Sequence, residues 1–114
     1  MGELLETCRA VSGSDARFTW VPWPFLESHE VQPWSELPAW MPPGGEWGGF
    51  SSVDVSKAVA AGLCFRPISE TVRDTLDWWR CQPDERTAEL RAGLAPEKEE
   101  QVLRAWHETE DSGG

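Results

Sequence analysis

The sequence predicts an α+β fold dominated by helices, on three observations. Apolar residues recur at three- and four-residue spacing in several separate segments, as a helix with one buried face requires. One short segment, 17–21, alternates apolar and polar side chains as a half-buried strand does. Six of the nine prolines, four of the ten glycines and four of the eight tryptophans crowd into 22–49. That stretch is too rich in proline for a long helix and too aromatic for a flexible linker.

Taken in order, Leu4, Leu5, Cys8 and Val11 share one side of a first helix over 2–11, and Gly13 supplies its C-cap. Phe18 and Trp20 then mark one face of the strand. The 20–50 region is expected as an ordered wrapping loop, with single helical turns near Trp23–Ser28 and Trp34–Leu37. Asp54 is an N-cap candidate for a helix carrying Val55, Ala58 and Val59 and closing near Gly62. Leu63 to Pro67 is a short extended link, because a residue before proline avoids helical angles. Ser69 is expected to cap the next helix, whose stripe is Val72, Thr75, Leu76 and Trp79, and Pro83 ends it. Two further helices are expected, about 84–92 and 96–107. The last opens on Pro96 and three glutamates, which suit a helix N-terminus, and buries Val102, Leu103 and Trp106. One unit over 1–108 is expected, with a polar tail, 109–114, that frays.

A hydrophobic fraction of 39% favours a folded chain over a disordered one. Ten basic against twenty acidic side chains give a net charge of −10, which repels phosphate backbones and anionic lipid. Nucleic acid and membrane are therefore not expected partners. Cys8, Cys64 and Cys81 are odd in number and never form a C-x-x-C pair. Together with the lack of a leader-like stretch or an apolar run near 18 residues, this predicts a cytoplasmic protein.

The stretch from Pro42 to Arg80 carries an ordered set of motifs. Pro42-Pro43-Gly44-Gly45-Glu46 is followed by Asp54-Val55-Ser56-Lys57-Ala58. Leu63-Cys64-Phe65-Arg66-Pro67 comes next, and then a helical segment from Thr71 to Trp79. This order resembles the C-terminal, substrate-covering part of the NAD-dependent epimerases/dehydratases, the extended short-chain dehydrogenases, and in particular reductase-like members. The resemblance implies a substrate domain without its Rossmann domain. It also implies that NAD(P) would be used only if such a domain were supplied elsewhere.

Two departures bear on the chemistry. The family's Tyr-x-x-x-Lys pair has no counterpart, because the chain contains no tyrosine, and Gly44-Gly45 to Gly48-Gly49 lacks the spacing of a phosphate loop. No arginine precedes the acidic segment, so a less charged substrate than a diphosphate sugar is expected. The implied function is a partial epimerase/dehydratase-like protein that binds a small organic substrate, or a partner or self chain, without a cofactor site of its own. The alternatives are a cofactor-independent isomerase, cyclase or hydrolase reusing the pocket, and a structural or oligomerisation module.

Trp23, Trp34, Trp40 and Trp47, with Glu46, are the substrate-binding candidates, since rings on a proline-stiffened loop can wall an apolar pocket or stack on a flat ligand. Their competing role is as core. Glu46, if enclosed by aromatics, is a general acid/base candidate, and His29 its possible companion. The bland readings are a solvent-exposed loop carboxylate and a solvated histidine. Asp54 and Lys57 are explained by helix capping and a solvent-facing amine. His29 and His107 have no ligand partner at helical spacing, so no metal site is expected. Cys8 and Cys64 read as buried thiols. Cys81, at a helix C-terminus, lies at the wrong end of the dipole to stabilise a thiolate.

Overall fold

Helix ends, where backbone groups lose their intrahelical partners, decide where most elements of this chain stop. The computed structural model describes residues 1–113. Its elements are α1 (Gly2–Ser12), α2 (Trp23–Ser28), a 3-10 turn at Gly45–Trp47, α3 (Ser56–Ala60), α4 (Ile68–Arg80), α5 (Asp84–Ala88) and α6 (Pro96–Gly113). The fold is thus mostly helical. Among the described residues the only β pairing is an isolated parallel bridge between Pro33 and Leu37.

Two helices close on the same local device. After α3, the Gly62 N–H donates to the Val59 carbonyl (3.1 Å) and the Leu63 N–H to the Ala58 carbonyl (3.0 Å). Gly62 has φ 110°, a value that a Cβ would disfavour. This paired arrangement satisfies carbonyls that would otherwise be orphaned and turns the chain back over the helix. Gly13 and Ser14 repeat it on Ala10 and Arg9 after α1. Ahead of α3 the N-cap position falls to Val55 rather than to Asp54 as expected, and Asp54 reaches the first helical residue from one position earlier. Its Oδ1 accepts the Ser56 N–H at 2.9 Å and the Ser56 hydroxyl at 2.5 Å. These bonds, the hydroxyl's first, hold its carboxyl below the ordinary range. Prolines precede α4 and α5 at Pro67 and Pro83, each with φ near −55°, the angle with which a helix is entered.

The chain divides into two compact units, each made of two separate stretches, across which the unit expected over 1–108 is distributed. The first comprises Met1–Phe18 and Asp54–Leu90. There α1 packs on α4, with Leu5, Cys8 and Val11 on one helix and Val72, Leu76 and Trp79 on the other half-buried. Arg66 ties the α3–α4 link to α4, its Nε donating to the Thr71 hydroxyl (2.9 Å) and its Nη1 to Asp74 Oδ2 (2.8 Å). The Arg86 guanidinium lies 4.9 Å over the Trp79 ring, a cation–π contact. Trp78, its neighbour, stays exposed. No residue of this unit is fully buried.

The second unit comprises Thr19–Val53 and Arg91–Gly114. It holds the two buried residues of the described chain, Val31 at 2% and Val102 at 4% exposure. Around them α6 turns Leu103 and Trp106 inward, and Trp106 meets Phe25 of α2 edge-on at 5.0 Å between ring centres.

Several elements differ from expectation. Residues 17–21 form no strand, because no neighbouring strand is present to pair their backbone groups. Trp34–Leu37 is not a helical turn. Trp34 takes φ 67°, outside the right-handed helical region. Helix α4 opens at Ile68, so Ser69 lies in its first turn rather than at its cap. Helix α5 stops at Ala88, where Glu89 becomes extended. At the other end α6 runs through Thr109 to Gly113 instead of ending near 107, and Gly114 lies outside the described residues. Adding residues to an established helix costs far less than nucleating one, which accounts for helix continuing into so polar a segment.

Two substitutions report on these features. Gly62→Ala should cost about 1–2 kcal/mol, the penalty of placing a Cβ in the left-handed region. Val102→Ala should cost about 2 kcal/mol through lost burial and a residual cavity. Urea unfolding followed by tryptophan fluorescence measures both, and a neutral Val102→Ala would contradict its place in the core.

Candidate functional site

The tryptophan-bearing wrap is built by local turns and then held from a distance. Pro22 and Pro24 bracket Trp23 at the start of α2, stiffening its entry. Beyond α2, Glu30 takes φ 58° and the Val31 N–H returns to the Leu26 carbonyl at 3.0 Å, which tucks Val31 inward. A loop then runs from Trp34 to Trp40. It is closed by the Trp34 N–H on the Trp40 carbonyl (3.1 Å) and the Trp40 N–H on the Leu37 carbonyl (3.1 Å).

Lys98, on α6, clasps this loop. Its ammonium donates to both Glu36 oxygens, Oε1 at 2.8 Å and Oε2 at 3.0 Å, and to the Glu30 carbonyl at 2.8 Å. Glu36 Oε1 also accepts the Gln32 N–H at 2.8 Å. Both side chains are partly buried, so the pair is less screened than a surface ion pair. The hydrogen bond from Lys98, followed by that from Gln32, holds the Glu36 carboxyl below its ordinary value of 4.5. A second tie is the Gly93 N–H on the Ser35 carbonyl at 2.8 Å.

Of the candidate binding residues, the structure brings Trp23, Trp34 and Trp40 together. The Trp23 and Trp40 rings lie 5.3 Å apart and tilted. Trp34 is joined to Trp40 through the backbone and meets Phe50 edge-on at 5.7 Å. Trp23 and Trp40 are half-buried, whereas Trp34 keeps an exposed face. Each competing role is therefore filled in part: two rings pack, and one remains available for stacking on a ligand.

Glu46 and Trp47 stand apart on the Gly45–Trp47 turn. A Cβ on Gly48 would come within 2.9 Å of the Gly44 backbone, so the turn closes tightly. Glu46 is nevertheless exposed, and Trp47 beside it is 54% exposed. Among the described residues no hydrogen-bond partner meets the Glu46 carboxylate. This is the exposed loop carboxylate of the bland reading, without the aromatic enclosure that acid–base work would need.

His29 is half-buried rather than solvated. Its ring stacks on Phe25 at 4.4 Å, and its Nδ1 lies 3.0 Å from the Phe25 carbonyl oxygen and 3.1 Å from the Ser28 hydroxyl. These contacts engage Nδ1 and one face of the ring, and among the described residues no hydrogen-bond partner meets Nε2. No contact among the described residues joins His29 to Glu46.

The cysteines split. Cys8 is half-buried, whereas Cys64 is exposed, contrary to expectation, because the α3–α4 link has nothing packed over it. Among the described residues no cluster of three metal-ligating side chains occurs, and no helix is long and apolar enough to cross a membrane. A groove of about 520 Å³ follows α6 past Glu99, Leu103, Arg104 and His107. All its walls come from that one helix, which makes it an open face rather than a cavity.

The Glu36–Lys98 clasp and the Phe25–His29–Trp106 stack escaped sequence reasoning. Phe25 and His29 are four residues apart, a spacing that does place side chains together on a helix. Nothing local links Glu36 to Lys98 across 62 positions.

Depression of the Glu36 pKa means that the clasp contributes stability above the ordinary glutamate pKa and loses it as pH falls through the lower folded value. Glu36→Gln should therefore lower the urea midpoint at neutral pH, and the gap from the unaltered chain should close under acid conditions. A gap that stays constant with pH would show that the ion pair does not hold the loop.

No protein-family model matches the chain, and no curated protein or solved structure matches it.

Proposed function

We propose that this chain is the substrate-side part of an oxidoreductase of the epimerase/dehydratase kind. In this reading it covers a small organic substrate or a partner chain and performs no redox chemistry of its own. The observation that carries the reading is the state of the motif-bearing stretch itself. Asp54 and Val55 lead into α3, Leu63 to Pro67 links it to α4, and the large apolar side chains from Val55 to Ile68 are exposed. A segment with regular caps and turns, yet with its hydrophobic residues uncovered, has the character of half an interface.

Two further points support it. The proton-donating tyrosine and the glycine-rich dinucleotide cradle have no counterpart in these residues, so hydride transfer would draw on residues outside them. The Trp23–Trp40 pair and the Trp34–Phe50 pair place aromatic rings on one proline-stiffened loop, with Trp34 exposed, a setting suited to a flat or apolar ligand and poorly suited to a diphosphate. The exposed setting of Glu46 and the packed setting of His29 give no comparable support to a self-sufficient hydrolase or isomerase.

Isothermal titration of the purified chain with NAD⁺ and NADPH tests the proposal. No saturable heat is expected from either nucleotide. Tight binding of either one would overturn the reading, because the chain would then possess the cofactor site it is proposed to lack.

A further inference from the structure

We infer that the chain associates with a second copy of itself through the face formed by α3 and the link that follows it. The inference rests on the reading above, in which this face belongs to an interface, and it identifies the occupant. Val55 is the N-cap of α3, and Val59 lies within the helix four residues on, its N–H donating to the Val55 carbonyl. The Gly62 turn folds Leu63 back toward the helix, and Phe65 and Ile68 follow within the next few residues. Their exposures are 44%, 46%, 44%, 71% and 36% in chain order.

On side-chain areas of roughly 150–220 Å² when fully exposed, these five residues present roughly 400 Å² of apolar surface. A stable interface of ordinary size buries about 800 Å² on each partner, a little over half of it apolar. One such face therefore supplies nearly the whole apolar share of one side, and two copies facing each other supply both.

Charge favours a like partner over a strongly charged one. Within 54–68 there are one acid, Asp54, and two bases, Lys57 and Arg66. Asp54 is engaged by Ser56, and Arg66 by Thr71 and Asp74. The face thus carries almost no field of its own, so a basic or acidic partner finds little to recognise. Lys57 is then the one charge of the segment with no side-chain partner among the described residues, and a twofold pairing, in which the same patch serves both sides, repeats only that charge. The residues outside 54–68 carry a net charge of −11. It opposes association only at long range, where salt screens it.

Sedimentation velocity of the full chain over the micromolar range, at low and high sodium chloride, is the test. The sedimenting mass should double from 12.8 kDa as concentration rises, and the doubling should occur at lower concentration in high salt. Val59→Asp combined with Phe65→Asp should remain monomeric with an unchanged far-ultraviolet circular dichroism spectrum. If Val59→Asp unwinds the short α3, Phe65→Ser alone, outside any helix, should still shift the doubling to higher concentration. A chain that stays monomeric in both salts overturns the inference, as does a Phe65→Ser variant that sediments like the unaltered chain. The nucleotide titration is indifferent to these results, so the two readings fail separately.

Discussion

The ordering of the tryptophan-rich wrap depends on one ammonium group. Lys98 has three donors, and a carbonyl and two carboxylate oxygens meet them. An ammonium taken partly out of water must recover its lost hydration, and a full set of acceptors does this in a single geometry. The consequence reaches beyond the pair. Glu36 is held in turn by the Gln32 backbone, so fixing Lys98 fixes the path from Glu30 to Glu36. That path sets where the Trp34–Trp40 loop begins and therefore which rings meet. A proline-rich segment with little hydrogen-bonding capacity of its own needs such an external tie.

The unit built from α1, α3, α4 and α5 is organised on a different principle. Helices α1 and α4 supply its packing, and a two-helix contact leaves every side chain some route to solvent. The stripe on α4 is covered on one side by Leu5, Cys8 and Val11 of α1. No equivalent cover lies over α3. The hydrophobic effect scales with apolar area removed from water, and here much of that area is still in water. Stability and association are consequently linked in such a unit: whatever covers the α3 face contributes to holding the fold as well as to binding.

The chemistry follows from these two halves. Within the aromatic wrap the Glu36 carboxylate is held by Lys98, Glu46 is exposed and His29 is half-buried against Phe25. An exposed carboxylate on a glycine turn lacks the desolvation that acid–base catalysis exploits, and a histidine stacked on Phe25 serves helix α2. The pattern of Trp23, Trp34, Trp40, Glu46 and Trp47 was legible as a set of ligand-facing types. The division of that set, with Trp23 paired to Trp40, Trp34 paired to Phe50, and Glu46 and Trp47 exposed on their own turn, was not legible. Ring-to-ring contacts depend on φ angles at Trp34 and Ala39, which residue type alone does not specify.

Sequence by itself determined what is local. The C-caps at Gly13 and Gly62, the Asp54 turn, and the inward face of Val102, Leu103 and Trp106 all follow from backbone angles and side-chain spacing within a few residues. Tertiary structure decided what those residues then meet. It denied residues 17–21 a partner strand, carried α6 to Gly113, buried one side of His29, joined Lys98 to Glu36 and left Phe65 and Cys64 in solvent. The physical reason is range. Caps and amphipathic stripes are set by interactions over three to five positions, whereas burial and ion pairing depend on which distant segment arrives, and no periodicity along the chain encodes that.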